Sequence, residues 1–372
     1  MKDVKKIRKD LLDKLAVVQL FTSLNNTPSE NIVDPLVNKL LTEYHINLTE
    51  KNDYEFSLIY KHIEKSLDII LKSYNKALKP KKNYKDIARE FKSLYSDEQE
   101  LYSNGIALGE LDKWFDSSAL KFPKHLPFHT KIGLGHHAGH ANIEEEYLLR
   151  DAFYSYLKAK ETDGILTEFG KDIIAEHKGG RMDDKVYREL TQFKYCLITY
   201  ARLSVVSFYS FLEAFINSIG YDYHYKYDNI LNENEKEILL GKSSGRYLSL
   251  EMKLEKYPAL IRKDKRQCIF LSDKSNRVEP YLSFFDYYKF LRDASVHYSP
   301  FKEKITMRVE DWIERANKCS KVTIEVAKNF WDFCYPNTIG PVYLENLEYD
   351  KHIKIAEERI NIENKLYKKY KM

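Results

Sequence analysis

Phe208-Tyr209-Ser210-Phe211-Leu212-Glu213-Ala214-Phe215-Ile216-Asn217-Ser218-Ile219-Gly220 is the most regular stretch of the 372-residue chain. Phe208, Leu212, Phe215 and Ile219 recur at steps of three and four, which stacks them on one face of an α-helix. Arg202, Ser210, Glu213 and Asn217 form a polar stripe beside that face. The pattern reaches back to Val186, and Gly220 reads as the C-cap. A helix apolar on one face needs other helices to cover it.

Those helices follow. Asn234 to Leu240 and Tyr247 to Leu260 give two shorter segments. Pro280 opens a helix through Phe284, Tyr287, Leu291 and Ala294 to about His297. From Thr306 to Tyr335, Trp312, Ala316, Cys319, Thr323, Val326, Phe330 and Phe333 repeat as a bundle seam. Val342 to Leu347 reads as irregular or a short strand, and a charged helix runs from Asp350 to Tyr370. The upstream half is helical too, over Lys2 to Ser23, Tyr54 to Leu78, Ile87 to Tyr95, Ile106 to Phe115, Ile143 to Lys160 and Ile165 to His177. Thr27-Pro28-Ser29-Glu30 resembles a further helix start. Between Phe122 and Asn142 the periodicity fails, and three glycines, two prolines and five histidines indicate a loop. Gly179-Gly180 is the best boundary. The expected architecture is all-α: a helical N-terminal region (1–180, with a Gly/His-rich loop at 122–142), an antiparallel helical bundle (181–340) and a charged helical tail (341–372).

Composition narrows the function classes. A hydrophobic share of 43% describes a globular chain, and a net charge of +4 does not announce nucleic-acid binding. The basic runs at Lys79–Lys82, Arg262–Arg266 and Lys365–Lys371 read as solvated faces. Cys196, Cys268, Cys319 and Cys334 form no CxxC pair, and Cys196, Cys319 and Cys334 read as core thiols. The N-terminus has no signal-peptide core, and no run reaches the roughly 18–20 apolar residues of a membrane span. The expected location is the cytoplasm, with no membrane partner. Glu144-Glu145-Glu146 suits the positive end of a helix dipole.

Chemistry concentrates in Leu291-Arg292-Asp293-Ala294-Ser295-Val296-His297-Tyr298-Ser299-Pro300. Arginine presents a planar fork of donors that fits phosphate, and histidine exchanges a proton near neutrality. Together they suit RNA cleavage without a metal or cofactor, through attack of the ribose 2′-hydroxyl and release of a 2′,3′-cyclic phosphate. Residues five apart on a regular helix lie about 140° apart around its axis. Convergence on one ligand then needs unwinding near His297 or a second chain.

Arg292, Asp293 and His297, with the aromatic helix Tyr281 to Leu291 ahead of them, resemble the HEPN superfamily motif: Arg, a polar residue, a short spacer and His. Phe211 to Asn217 is similar to the family's helix bearing an acidic residue. The resemblance covers Asp184 to Tyr335. It implies a helical bundle that dimerises, with the motifs of two copies facing each other across a composite active site. It implies a metal-independent endoribonuclease of prokaryotic antiphage defence, abortive infection or toxin–antitoxin systems, with RNA as substrate and an antitoxin or regulatory protein as a further partner. Arg292 would bind the scissile phosphate and His297 would transfer protons. Asp293 would orient one of them, and Glu213 would be a polar neighbour.

Two other readings stand beside it. Some members of that superfamily are silent, so the same cleft could serve only to bind RNA or a protein. The pairs His125/His129 and His136/His140 have the i, i+4 spacing of helical zinc ligands, but Pro127 and Gly139 interrupt them. A metal-dependent enzyme built there is the weaker reading.

Overall fold

The computed structural model describes residues 4–24, 42–94, 105–116, 126–133, 140–177, 183–296 and 308–370. The chain is all-α with only short antiparallel strands. It divides into two compact units, Met1–Ile143 and Glu144–Met372.

The first unit contains α1 (Val4–Leu24), α2 (Asp53–Leu78), α3 (Tyr84–Leu94) and the short α4 (Leu108–Trp114). Asn52 and Glu55 start α2 as a reciprocal capping box, each side chain accepting the other's backbone N–H. α1 packs against both α2 and α3, burying Leu11, Leu15 and Val18. Phe21 closes the far end, with ring centroids 5.4 Å from Tyr74 and 5.1 Å from Phe115. The expected loop at 122–142 is in part a sheet: β1 (Ile106–Ala107), β2 (Lys131–Gly133) and β3 (His140–Asn142) pair antiparallel in that order. Strands of two or three residues are too short to show alternation, so the sequence hides them. Ile106 and Ala107 accordingly leave the helix expected from Ile106 to Phe115. The helix start expected at Thr27 lies outside the described residues.

The second unit is built around α6 (Asp184–Tyr227), the longest helix at 44 residues. α5 (Glu144–His177) runs antiparallel to it: Phe153 meets Phe208 at 5.0 Å, and Ser218 donates to Glu145 at 2.7 Å. α10 (Val309–Cys334) runs parallel to α6, with Trp312 beside Arg202 and Phe330 edge-on to Phe215 at 6.4 Å. Between them come α7 (Glu233–Leu239), the hairpin β4 (Lys242–Ser243) and β5 (Arg246–Tyr247), and α8 (Leu250–Ile261). α9 comprises Tyr281–Ser283, a π-turn Phe284–Tyr288 and Lys289–Val296. α11 (Tyr349–Tyr370) lies along α5 through Arg359–Asp151 at 3.1 Å and Tyr154–Glu363 at 2.7 Å.

These contacts move both expected boundaries. α5 belongs to the second unit, so the division falls after Ile143 and not at 180. A Gly-Gly connection between paired helices reads in sequence like a domain linker, and residues 178–182 lie outside the described residues. The stretch 341–372 is no detached tail, because α11 buries Ala356 and His352. The two helices expected at Ile143–Lys160 and Ile165–His177 form one. Cys196 is exposed, while Cys319 and Cys334 are buried. Cys196 stands one position before the fully buried Leu197, which turns it about 100° away from the packed face of α6. Val342–Leu347 is a 3-10 turn with Glu345, Asn346 and Leu347 at positive φ. α6 has the length and apolar composition of a membrane span, but 61% of that window is buried inside the unit, which marks a core helix.

Gly220 does not cap α6. The helix runs on to Tyr227, and a Cβ at Gly220 would stand 2.4 Å from a Tyr257 ring carbon and 2.9 Å from the Leu239 carbonyl oxygen. The glycine allows α8 and α7 to close on α6. Glu145, expected to serve the dipole, is buried and accepts hydrogen bonds from Ser218 and from Tyr343 at 3.2 Å. Burial raises its carboxyl above the ordinary range, against those two hydrogen bonds.

Two stability outcomes follow from this packing. Gly220→Ala should cost about 2–4 kcal/mol, read by chemical denaturation, because backbone as well as ring must shift; an unchanged midpoint would refute the close approach. His352 stacks on Phe153 and its Nε2 lies 3.1 Å from the Leu344 carbonyl oxygen. Burial lowers its imidazole to about 4. The unfolded chain therefore protonates first, and the stability from neutral His352 is complete above about pH 6.5 and lost as pH falls towards 4. Denaturation titrations should show a loss on the order of 2–3 kcal/mol over that window, absent in His352→Gln.

Candidate functional site

The cluster around Arg292 is assembled by α6, α8 and α9. The π-turn Phe284–Tyr288 sits immediately before Lys289–Val296. A π-turn inserts a residue and redirects the helix that follows, and such turns concentrate at functional sites. Phe284 fixes it by stacking on Tyr209 of α6, with centroids 5.6 Å apart and planes at 12°.

Arg292 is half-buried, and its guanidinium carbon lies 4.5 Å from the centroid of the Tyr209 ring. A guanidinium over an aromatic face gains cation–π attraction and is held flat. Its Nη1 donates to Asp293 at 2.8 Å. That bond takes one of five guanidinium N–H groups. Glu213 lies one turn beyond Tyr209 on α6. Burial raises the Tyr209 hydroxyl pKa; the nearby Arg292 opposes this, and the Glu213, Asp293 and Glu251 carboxylates add to it. The four charged groups thus share one neighbourhood around the ring.

Neither Lys289 nor Arg202 pairs with Glu213. Lys289 donates to Glu251 of α8 at 2.7 Å, and Arg202 donates to the Ser295 carbonyl at 3.3 Å with its guanidinium over Trp312. Among the described residues, none makes a hydrogen bond or ion pair with Glu213. The structure therefore brings Arg292, Asp293 and Glu213 into one neighbourhood around the Tyr209 ring. His297 lies outside the described residues, one position past the end of α9.

The sequence reading missed the α8 contribution. Burial, the largest single influence, would raise the Glu251 carboxyl, but the hydrogen bond and charge of Lys289, its own backbone N–H and the Ser249 hydroxyl together lower it. Lys253 is buried and donates to Asn217 of the α6 polar stripe at 2.8 Å. Burial lowers its ammonium pKa, and the Glu213 charge opposes that. Glu251 and Lys289 are 38 positions apart, so no local signal links them. The stripe of Glu213 and Asn217 was the available clue.

Among the described residues, no three His, Cys, Asp or Glu side chains gather as a metal site. Of the loop histidines, His125, His136, His137 and the His140 side chain lie outside those residues; His129 sits in the turn before β2. The three basic runs sit as expected of solvated faces where described: Lys81 pairs with Asp112, Lys82 with Glu90 and Arg262 with Asp264, and 365–370 are exposed.

The fold and cleft define an all-helical protein whose polar cluster surrounds one arginine laid on an aromatic ring. Compared with known proteins, the chain matches no family model, no curated protein and no solved structure.

The Lys289–Glu251 pair is partly exposed, so its coupling should be about 1 kcal/mol in a double-mutant cycle of Lys289→Met and Glu251→Gln at pH 7. Because the Glu251 pKa is lowered on folding, that coupling is present above about pH 4.3 and lost as pH falls below it. A coupling that persisted at pH 2–3, measured by denaturation, would contradict the assignment.

Proposed function

We propose that the chain is a metal-independent, HEPN-type endoribonuclease, a prokaryotic antiphage-defence or toxin effector of the cytoplasm. The observation that carries this reading is Arg292, seated 4.5 Å over the Tyr209 ring and hydrogen-bonded to Asp293, on the helix that leads into His297, with the Glu213 charge in the same neighbourhood. Four N–H groups of the Arg292 guanidinium remain beyond the one given to Asp293, and a phosphate is the ligand that such a fork fits. A pre-oriented guanidinium opposes the charge that grows on the phosphorane oxygens.

In the proposed reaction the 2′-oxygen attacks phosphorus as His297 takes its proton. The P–O5′ bond breaks and the leaving 5′-oxygen takes a proton from a protonated His297, which balances the one removed from the 2′-hydroxyl. The products are a 2′,3′-cyclic phosphate and a 5′-hydroxyl, with no metal or cofactor. Asp293 holds the Arg292 fork in plane, and Glu213 is the polar neighbour across the cleft. Two copies of the chain form a homodimer whose Arg292 and His297 residues complete one composite site. An antitoxin or regulatory protein would restrain it.

One observation favours a second reading, a catalytically silent helical module that binds RNA or protein. Lys253, Lys289 and Arg292 are matched in number by Glu213, Glu251 and Asp293, so the cleft has no excess of positive charge to draw in RNA.

Cleavage of RNA in the presence of a chelator separates the two. Wild-type chain should cut, and Arg292→Ala or His297→Ala should lower the rate by roughly 10²-fold or more with unchanged melting. Intact RNA from wild-type chain, or full activity in both variants, would favour the silent module.

A further inference from the structure

The cluster around Arg292 is neutral in sum, so a further hold on an RNA strand must come from beyond it. The polar stripe of α6 leads to one. Tyr209, Glu213 and Asn217 stand on successive turns of the helix. Arg292 lies over the first, and Lys253 of α8 donates to the Oδ1 of the last at 2.8 Å. Asn217 follows Tyr209 by eight residues. That is about 12 Å along the helix axis, so a phosphate on Arg292 and an anion at Lys253 belong to different positions of one strand.

Lys253 has no carboxylate partner. Its side chain is buried, and among the described residues it makes one hydrogen bond, to Asn217, and no ion pair. The charge of Glu213 acts on it from a distance only. An ammonium has three donors, and a buried charge without an opposite charge in contact is costly. Asn217 is exposed, so the ammonium it accepts from lies just below the surface.

The β4–β5 hairpin begins beside this lysine. Gly241, at φ 77°, precedes β4, and a Cβ there would stand 3.2 Å from Lys253 Cε. The hairpin is fixed at its base, where the Leu248 N–H donates to the Gly241 carbonyl oxygen at 2.8 Å, and at its tip, where the Gly245 N–H donates to Glu237 at 2.8 Å. Lys242 and Tyr247 are register partners and share one face; Arg246 stands on the other. The Lys242 ammonium lies 5.6 Å from the Tyr247 ring centroid. Neither Lys242 nor Arg246 has a carboxylate partner among the described residues. Tyr247 is 82% exposed, more than any other large apolar or aromatic side chain among the described residues. A ring turned to solvent beside an unpaired ammonium suits a single strand, whose bases stack on the ring while the cation meets the backbone. A duplex keeps its bases stacked inside and cannot use such a ring.

We propose that Lys253, Lys242 and Tyr247 form a subsite for single-stranded RNA at the Asn217 end of the α6 stripe. The two ammonium groups meet backbone phosphates, and Tyr247 stacks on an unpaired base without base preference. The choice of RNA as ligand rests on the ribonuclease reading; the subsite itself rests on the two ammonium groups without carboxylate partners and the exposed ring.

The test uses full-length chain and a fluorescently labelled 20-nucleotide RNA without secondary structure, with binding followed by anisotropy from 50 to 300 mM salt. Tyr247→Ala should weaken binding roughly tenfold, and Tyr247→Trp should restore it. Lys242→Gln/Lys253→Met should lower the log–log salt slope by about 1.4, as expected for two lost contacts to a single strand. Lys253→Met keeps the stem against Gly241 and removes a buried charge, so its melting should not fall. Tyr247 and Lys242 sit on an exposed hairpin, so Tyr247→Ala and Lys242→Gln keep the test readable if Lys253→Met does not fold. Cleavage of a dinucleotide, too short to reach the hairpin, should stay within a few-fold of wild type in Tyr247→Ala. Unchanged affinity and slope in the folded variants would overturn the proposal, and so would equal losses on the dinucleotide and the 20-mer. If wild-type chain binds the 20-mer through Tyr247 but cuts neither substrate, the ribonuclease reading fails and the subsite stands.

Discussion

The second unit depends on how closely other chain segments can approach the middle of α6. From Phe208 to Gly220 that helix is covered by α5, α10, α8 and α9 at once. Phe208, Phe211, Leu212 and Phe215 are completely buried there, each removing apolar surface worth about 2–3 kcal/mol. Gly220 sets the closest approach, because Tyr257 and the Leu239 carbonyl occupy the space of a side chain. α8 can therefore lie near enough to set Lys253 against Asn217, one turn back from Gly220.

The same crowding explains the site. Tyr209 is packed between the Phe284 ring of the π-turn and the Arg292 guanidinium. It thereby joins the apolar core to the polar cleft. A ring held by the core gives the guanidinium a rigid seat, and Asp293 limits its rotation. Rigid placement of a donor fork is what transition-state stabilisation requires, since a group already oriented need not reorganise as charge develops. The cost is electrostatic balance. Lys289 pairs with Glu251 and Arg292 with Asp293, while Lys253 is held by Asn217 and balances Glu213 only in number, which leaves the cluster near neutrality.

Much of the helical order was legible in the amino-acid sequence. Phe208, Leu212, Phe215 and Ile219 announce α6 by spacing alone, and Trp312 to Phe333 announce α10. Gly220 was misread because a C-capping glycine and a close-approach glycine look alike; only the ring of Tyr257, 37 positions on, separates them. Gly179-Gly180 was misread as a domain boundary for a similar reason. The strands around Ile132 carry too few residues for any periodicity. Within the site, Arg292, Asp293 and Glu213 were visible as residue types in the right order. Their neighbours Tyr209, Glu251 and Lys253 were not, since burial and partner choice arise only from packing between distant segments.

The account stands most directly on the chemistry of the cut ends. Wild-type chain incubated with RNA and excess chelator should give fragments whose mass identifies a 2′,3′-cyclic phosphate upstream and a 5′-hydroxyl downstream. Fragments carrying a 5′-phosphate and a 3′-hydroxyl, or cleavage that stops on chelation, would contradict it.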